Sequence, residues 1–231
     1  NRTPLILSNR LSQNRIVKLK LESLQITNSF KLRGATNKLL SLDNEQKQKG
    51  VIAVSTGNHG KGVAHAARVL GIKSTIFMSS MVPQYRKEAI EALGAKVEII
   101  GNNSDEADLY AKKLAKEKNI TLVHPFDDEE VIAGQGTVGL EMLEDFPDVD
   151  TVIIPTSGGG LIGGIALAIK LQKPSVQIIA VSMERGPSMY ESLKQGKPTD
   201  VEELETLADC LGGSIGPVSY THLRAHETDS Y

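Results

Sequence analysis

Along most of this chain, short continuous apolar runs alternate with longer stretches in which apolar residues return every three or four positions. The first pattern is that of a strand between turns, and the second is that of a helix with one apolar stripe. Strands are predicted at residues 16–21, 51–55, 74–78, 96–100, 121–124, 151–155 and 177–182, and helices at 29–40, 59–70, 84–93, 104–118, 132–146 and 161–171. Gly71, Gly94 and Gly101 fall where one of these elements should stop. This alternation is the signature of an α/β protein with a largely parallel sheet. Residues 50–127 hold enough of it for a small domain inserted in the chain, which leaves 1–49 and 128–217 as a larger one. The cleft between two such domains is the default place for a ligand.

Composition narrows the partners. The 231 residues are 40% hydrophobic, with 26 Lys and Arg dispersed among 28 Asp and Glu and a formal net charge of −2. No basic stripe for nucleic acid and no polybasic membrane anchor emerges, so a small-molecule partner is expected. Cys210 is the single cysteine. It excludes an intrachain disulfide, makes a thiolate metal cluster implausible, and fits a cytoplasmic location. The longest apolar stretch, 161–171, is interrupted by Gly163, Gly164 and Lys170 and is too short to cross a bilayer. Asn1, Arg2 and Thr3 lead into a brief apolar run without the h-region of a signal peptide.

Candidate chemistry gathers in segments at strand-to-helix junctions or helix starts. In SFKLRGA at 29–35, Lys31 opens a helical pattern close to Arg33. Desolvation and like charge there would favour the neutral, nucleophilic amine, whereas on local sequence alone the residue also reads as a solvated surface lysine. In STGNHG at 55–60, Ser55, Thr56, Asn58 and His59 offer hydroxyls, an amide and an imidazole, and the amides of the new helix can bind a carboxylate. The alternative is purely structural: Thr56 or Asn58 caps a helix that starts at His59, and Gly57 supplies a positive φ. His59 is not expected to bind metal, because His65, His124, His222 and His226 form no ligand spacing with it. In SGGGLIGG at 157–164, Gly158, Gly159 and Gly160 follow an apolar run and precede a helix, so their amides can converge on an anion; a tight turn with close helix packing is the other reading. The spacing matches neither the dinucleotide nor the triphosphate glycine motif. A reactive lysine, a carboxylate loop and a phosphate loop together describe a site for an aldehyde-bearing phosphorylated cofactor, for which pyridoxal phosphate (PLP) is the natural candidate.

Taken in order, SFKLRGA, STGNHGKGVA, HPFDD with VIAGQGTVGLE, and PTSGGGLIGG resemble the fold-type II PLP enzymes of the threonine ammonia-lyase and serine racemase family, from Thr3 and Pro4 to about Gly216. The resemblance implies a tryptophan synthase β-like fold: two open, twisted, parallel-sheet α/β lobes with the active site between them. It implies that Lys31 is the Schiff-base lysine, that Phe30 packs against the cofactor and that Asn58 contacts the ring hydroxyl. Ser55, Thr56, Asn58 and the amide of His59 match the loop that grips the substrate carboxylate. Ser157, Gly158, Gly159, Gly160 and Leu161 match the phosphate loop, with Ser157 where the family usually has the first of four glycines. The implied reaction is β-elimination from a hydroxy amino acid such as threonine or serine, giving a 2-oxo acid and ammonia. Racemisation is the rival, and Thr56 stands where serine racemases carry a second serine. A metal is not implied, since Ser182 occupies the place of the strand-ending glutamate of metal-activated racemases.

Two finer readings concern the second half. SMERG at 182–186 with VEELETLADCLGGSIG at 201–216 resembles the hydroxyectoine-utilisation dehydratases. VSYTHLRAHET at 218–228 breaks the family pattern and resembles a translated sequencing adapter, so 218–231 reads as a non-native tail. Against the family pattern the chain also reads as part of a longer protein: a helical segment normally precedes the TPL motif at 3–5, and a later strand normally brings the hydroxyl or thiol that meets the pyridine nitrogen. The full-length protein is expected to be a homo-oligomer. A PLP-binding or cofactor-free unit without turnover is the non-enzymatic alternative.

Overall fold

The computed structural model describes residues 1–202, 204–213 and 215–224. What the sequence reading placed on residues 203, 214 and 225–231, including His226 and part of the tail, lies outside the described residues. The chain divides into two compact units, Asn1–Pro125 and Phe126–Tyr231. The division drawn from the sequence, 1–49 with 128–217 against 50–127, stays a proposal.

In the first unit, Leu5–Leu7 (β1) and Lys18–Lys20 (β2) form an antiparallel pair, so the strand predicted at 16–21 is shorter and joins a local ribbon instead of the parallel sheet. A 3-10 turn, Glu22–Leu24, leads to the helix Lys31–Ser41 (α1). The next helix, Asn44–Lys49 (α2), buries none of its residues and stands on its termini. Asp43 and Gln46 form a reciprocal capping box, and Gly50 closes the helix at φ 85°. Then come Val51–Val54 (β3), Asn58–Leu70 (α3), Ser74–Met78 (β4), Gln84–Glu91 (α4), Lys96–Ile99 (β5), Ser104–Lys118 (α5) and Thr121–Leu122 (β6). The four strands β3 to β6 pair in parallel in the order β5-β4-β3-β6, as the alternation predicts. Ile76, Phe77 and Met78 on β4 are fully buried, and the ring of Phe77 meets Tyr110 of α5 edge-on at 5.3 Å. In chain order the sheet grows outward from β3 to β5 and then returns to the far side of β3. The loops leaving β3 and β6 therefore emerge side by side at the carboxyl end of the sheet, at the switch point where open α/β sheets bind ligands.

The second unit contains Glu129–Asp145 (α6), Thr151–Pro155 (β7), Gly160–Gln172 (α7), Gln177–Val181 (β8), Ser188–Gln195 (α8) and Pro217–Arg224 (α9). Strands β7 and β8 pair in parallel. Helix α6 starts three residues before the apolar stripe does, because the Asp128 carboxylate accepts hydrogen bonds from the amides of Glu130 and Val131 at 2.9 and 3.1 Å. Helix α9 covers the start of the segment set aside as a tail. Its Tyr220 joins the core formed by Ile154, Ile162, Ile165 and Ile169, and the Ser219 amide donates to Asp127 at 2.9 Å. Among the described residues no helix is long and apolar enough to cross a membrane.

Helices α6 and α7 touch backbone to backbone. A methyl group placed on Gly164 would lie 2.1 Å from the Ile132 carbonyl oxygen and 2.7 Å from the Gly136 nitrogen. On the neighbouring Gly163 the nearest atom would be 3.6 Å away, which is ordinary contact. Gly164→Ala is expected to force the helices apart and lower stability by about 1–3 kcal/mol. Gly163→Ala is expected to stabilise by roughly 0.5–1 kcal/mol through helix propensity alone. Urea midpoints of the two variants, measured side by side, check both.

Candidate active site

The lysine site is built at the switch point of the first unit. Helix α1 begins with Lys31; its preceding residue, Phe30, offers no side-chain cap, and the Lys31 amide donates to Ser29 Oγ at 3.3 Å. Helix α3 lies directly against this first turn. A methyl on Gly62 would be 3.2 Å from the Lys31 carbonyl, so the absence of a side chain there permits the approach. The Lys31 side chain runs past the ring of Phe30, with Nζ 5.3 Å from its centroid, and donates to the Pro125 carbonyl oxygen at 2.6 Å. His59, on the first turn of α3, is 4% exposed and places Nε2 2.8 Å from the Val123 carbonyl oxygen. Lys31 and His59 thus share the short segment 123–125 that follows β6.

Burial sets the electrostatics of both groups. The Lys31 residue as a whole is only partly buried, but its amino end is desolvated, and this holds its pKa at about 8 instead of the usual 10.5. The sequence reading also gave Arg33 a part in that shift; desolvation alone accounts for it, and the Arg33 guanidinium is engaged by Glu22 at 2.8 Å. His59 is held at about 3, first by burial and then by the positive charge of Lys31, against the opposing hydrogen bond to Val123. It is therefore a neutral ring. With Nε2 donating to Val123, Nδ1 is a buried acceptor with no partner.

The carboxylate loop differs in detail from the sequence reading. Helix α3 starts at Asn58, one residue earlier than expected, and its N-cap is Gly57 with φ −143°, so neither a side-chain cap from Thr56 nor a positive φ at Gly57 occurs. Gly57 instead donates its amide to Ser55 Oγ at 3.2 Å. Helix geometry leaves the first-turn amides of α3 without intrahelical acceptors. A side-chain cap would have taken part of that capacity, and here it remains for an anion.

The glycine loop belongs to the second unit. Gly159 has φ 92° and is the N-cap of α7, again without a side-chain cap. A methyl on Gly158 would lie 2.7 Å from the ring of Phe126, and one on Gly160 would lie 2.7 Å from the Phe126 carbonyl oxygen. Ser157 donates its hydroxyl to the Gly212 carbonyl at 2.5 Å, which keeps that oxygen engaged while its amide stays with the loop. Leu161 follows in the first turn of α7, partly buried against the core.

The first unit therefore gathers Phe30, Lys31 and His59 and carries Ser55, Thr56 and Asn58 on the adjoining turn, while the second gathers residues 157–161 on Phe126. In the first unit a desolvated amine with its pKa lowered to about 8 can form a carbon–nitrogen double bond with an aldehyde, and in the second an uncapped glycine helix start can hold a phosphate. Sequence reasoning missed the carbonyls of Val123 and Pro125 and the ring of Phe126. The HPFDD segment at 124–128 was the available signal.

Comparison with known proteins agrees with this chemistry. Residues 1–231 match the family described as pyridoxal-phosphate dependent enzyme. The chain is 51% identical over 212 residues to a catabolic L-threonine dehydratase of Staphylococcus aureus, covering 90% of this chain and 61% of that protein. The processed form of threonine deaminase isoform 2 from Solanum lycopersicum superposes with a TM-score of 0.94 at 36% identity, covering 97% of this chain and 62% of that one. Maize serine racemase superposes with a TM-score of 0.93 at 34% identity, covering 99% and 70%. The chain thus spans about three fifths of the length of that dehydratase and of that deaminase.

A desolvated lysine leaves a mark on stability. The folded state holds the amine at about 8 and the unfolded state at 10.5, so the burden of the buried ammonium is fully present below pH 8 and is relieved as pH rises toward 10.5. Lys31→Met is expected to be more stable than the parent protein below pH 8, with the gap closing between about 8 and 10.5; urea unfolding of both cofactor-free proteins across this range measures it.

Proposed function

Because the chain belongs to the pyridoxal-phosphate dependent enzyme family, with the fold-type II architecture of its structural neighbours, we propose that the full protein catalyses β-elimination from a hydroxy amino acid such as L-threonine or L-serine, releasing a 2-oxo acid and ammonia. The observation that carries this reading is the Lys31 amine, desolvated and seated on the Pro125 carbonyl.

PLP is the family's cofactor, and when bound it accepts the electron pair left on the substrate Cα. Lys31 would hold its aldehyde carbon, and the amides of Ser157, Gly158, Gly159, Gly160 and Leu161 would take its phosphate. Phe30 would pack beside it, and Asn58 would meet the ring hydroxyl. Ser55, Thr56, Asn58 and the His59 amide orient the substrate carboxylate at the start of α3, where the helix dipole favours negative charge. Lys31, whose buried amine has its pKa lowered to about 8 and so loses its proton far more readily than a free lysine, would take the Cα proton as general base. Departure of the β-hydroxyl leaves an enamine that hydrolyses in water.

Racemisation is the second reading, supported by the likeness to maize serine racemase. It requires an acid on the face opposite Lys31. Thr56 is the candidate, and its β-branch restricts the rotamers that could deliver a proton. The SMERG segment at 182–186 supports a narrower placement among dehydratases of hydroxyectoine utilisation. A homo-oligomer acting in the cytoplasm completes the proposal.

The test uses the full-length protein with PLP, supplied with L-threonine and L-serine. Oxo-acid formation well above D-serine formation is expected, and Lys31→Ala should lower it by roughly 10²–10⁴-fold or more. D-serine as the dominant product would replace the lyase by the racemase; activity retained in Lys31→Ala would remove both.

A further inference from the structure

The N-terminal segment carries a buried ionic cluster that the proposed reaction does not use. Arg33 donates from Nε to Glu22 Oε2 and from Nη2 to Glu22 Oε1, both at 2.8 Å, with side-chain exposures of 6% for Arg33 and 15% for Glu22. Thr3 Oγ1 donates to the same carboxylate at 2.5 Å, and Gln25 Nε2 donates to it at 3.2 Å. Gln25 also donates to the Asn1 carbonyl at 2.7 Å, and Lys20 donates to the Thr3 carbonyl at 2.6 Å. Glu22 is held below the ordinary carboxylate range: burial alone would raise it, and the hydrogen bonds from Arg33 and Thr3 with the Arg33 charge outweigh that.

Stability by itself is a weak reason for such a cluster, since an apolar replacement of a buried ion pair is often as stable. What a two-pronged guanidinium–carboxylate contact adds is direction, because it fixes the rotation of one element against another where apolar side chains could slide. Rotation is what matters two residues before Arg33. There α1 starts at Lys31 with no cap from the Phe30 side chain, and its first amides bond back into the connection, Lys31 to Ser29 Oγ at 3.3 Å and Arg33 to the Phe30 carbonyl at 2.9 Å, so the turn is held as well as that connection is. Within the connection from Glu22 to Lys31, Gln25 Oε1 and Thr27 Oγ1 are buried without partners, and Asn28 sits at φ 58°.

We propose that the Glu22–Arg33 fork is a positioning device for Lys31: it locks the first turn of α1 onto the N-terminal segment and so keeps the amine out of water and on the Pro125 carbonyl. Glu22 and Arg33 are positioning residues, and the inference rests on the reading of Lys31 as the cofactor-bearing lysine. Without the fork the first turn frays and the amine becomes hydrated, which returns it toward the behaviour of a free lysine.

The test has two stages, both on the full-length protein. Borohydride reduction of the PLP-loaded protein followed by peptide mapping locates the bound cofactor; a label on any other lysine overturns the reading of Lys31 and this inference with it. In the cofactor-free protein, acylation of Lys31 by acetic anhydride is then followed against pH in the parent, Glu22→Gln, Arg33→Lys and Arg33→Met. The parent should show a midpoint near 8. Arg33→Met should move the midpoint upward by about one unit and weaken PLP binding, read from absorbance, roughly tenfold. Arg33→Lys, which keeps charge without the fork, should recover only part of this. Variants that lose stability yet keep the parental Lys31 midpoint and PLP affinity would show the cluster to be structural and overturn the proposal. Should Arg33→Met fail to fold, Glu22→Gln, which keeps the shape of the side chain and removes one of the two acceptors of the fork, decides the matter: a smaller upward midpoint supports positioning, and no movement overturns it.

Discussion

An ammonium group resists leaving water, and everything around Lys31 follows from making it do so. Nζ donates to a backbone carbonyl, that of Pro125, at 2.6 Å. A carbonyl supports the amine without neutralising it as a carboxylate would, so the group stays close to losing its proton. Had a carboxylate been placed there, the opposite charge would have favoured the protonated form and silenced the nucleophile. His59 fits the same constraint: neutral and fully enclosed, it fills space beside Lys31 and spends its ring proton on Val123.

The sheet supplies these carbonyls by ending early. Strand β6 is only Thr121–Leu122, and the ladder continues one step further through the Val123 amide to the Ile52 carbonyl at 2.8 Å. Beyond that point the backbone oxygens face side chains from α1 and α3. A longer β6 would have directed them into strand pairing. The order β5-β4-β3-β6 then delivers the β3 turn and the β6 exit to one end of the sheet. Topology and chemistry are therefore the same fact seen at two scales.

Much of this was legible in the sequence, for reasons that differ by residue. The parallel sheet was readable because 51–54, 74–78 and 151–155 are continuous apolar runs, and the lysine and glycine loops because each puts an unusual residue at a strand-to-helix or helix-start junction. Helix α2 was not, since it buries nothing and so has no apolar stripe to detect. The start of α6 was misplaced because Asp128, a cap outside the stripe, sets it. Gly57 misled in the other direction: a glycine before a helix invites a positive φ, and here φ is −143°. The carbonyl acceptors had no signature at all, because every residue has one and only the fold chooses which are used. The Glu22–Arg33 contact was hidden likewise, its partners lying on separate elements joined by no periodicity.

The glycine loop bears on how such chains diverge. Gly159 needs its left-handed backbone, and Gly158 and Gly160 lie too close to Phe126 to carry a side chain. These demands come from the fold and hold whether or not a phosphate ever binds. A descendant that lost its chemistry would still be selected to keep all three glycines for as long as it needed to fold. Their persistence in such a lineage is a record of architecture, and the fate of Lys31 is the better witness to activity.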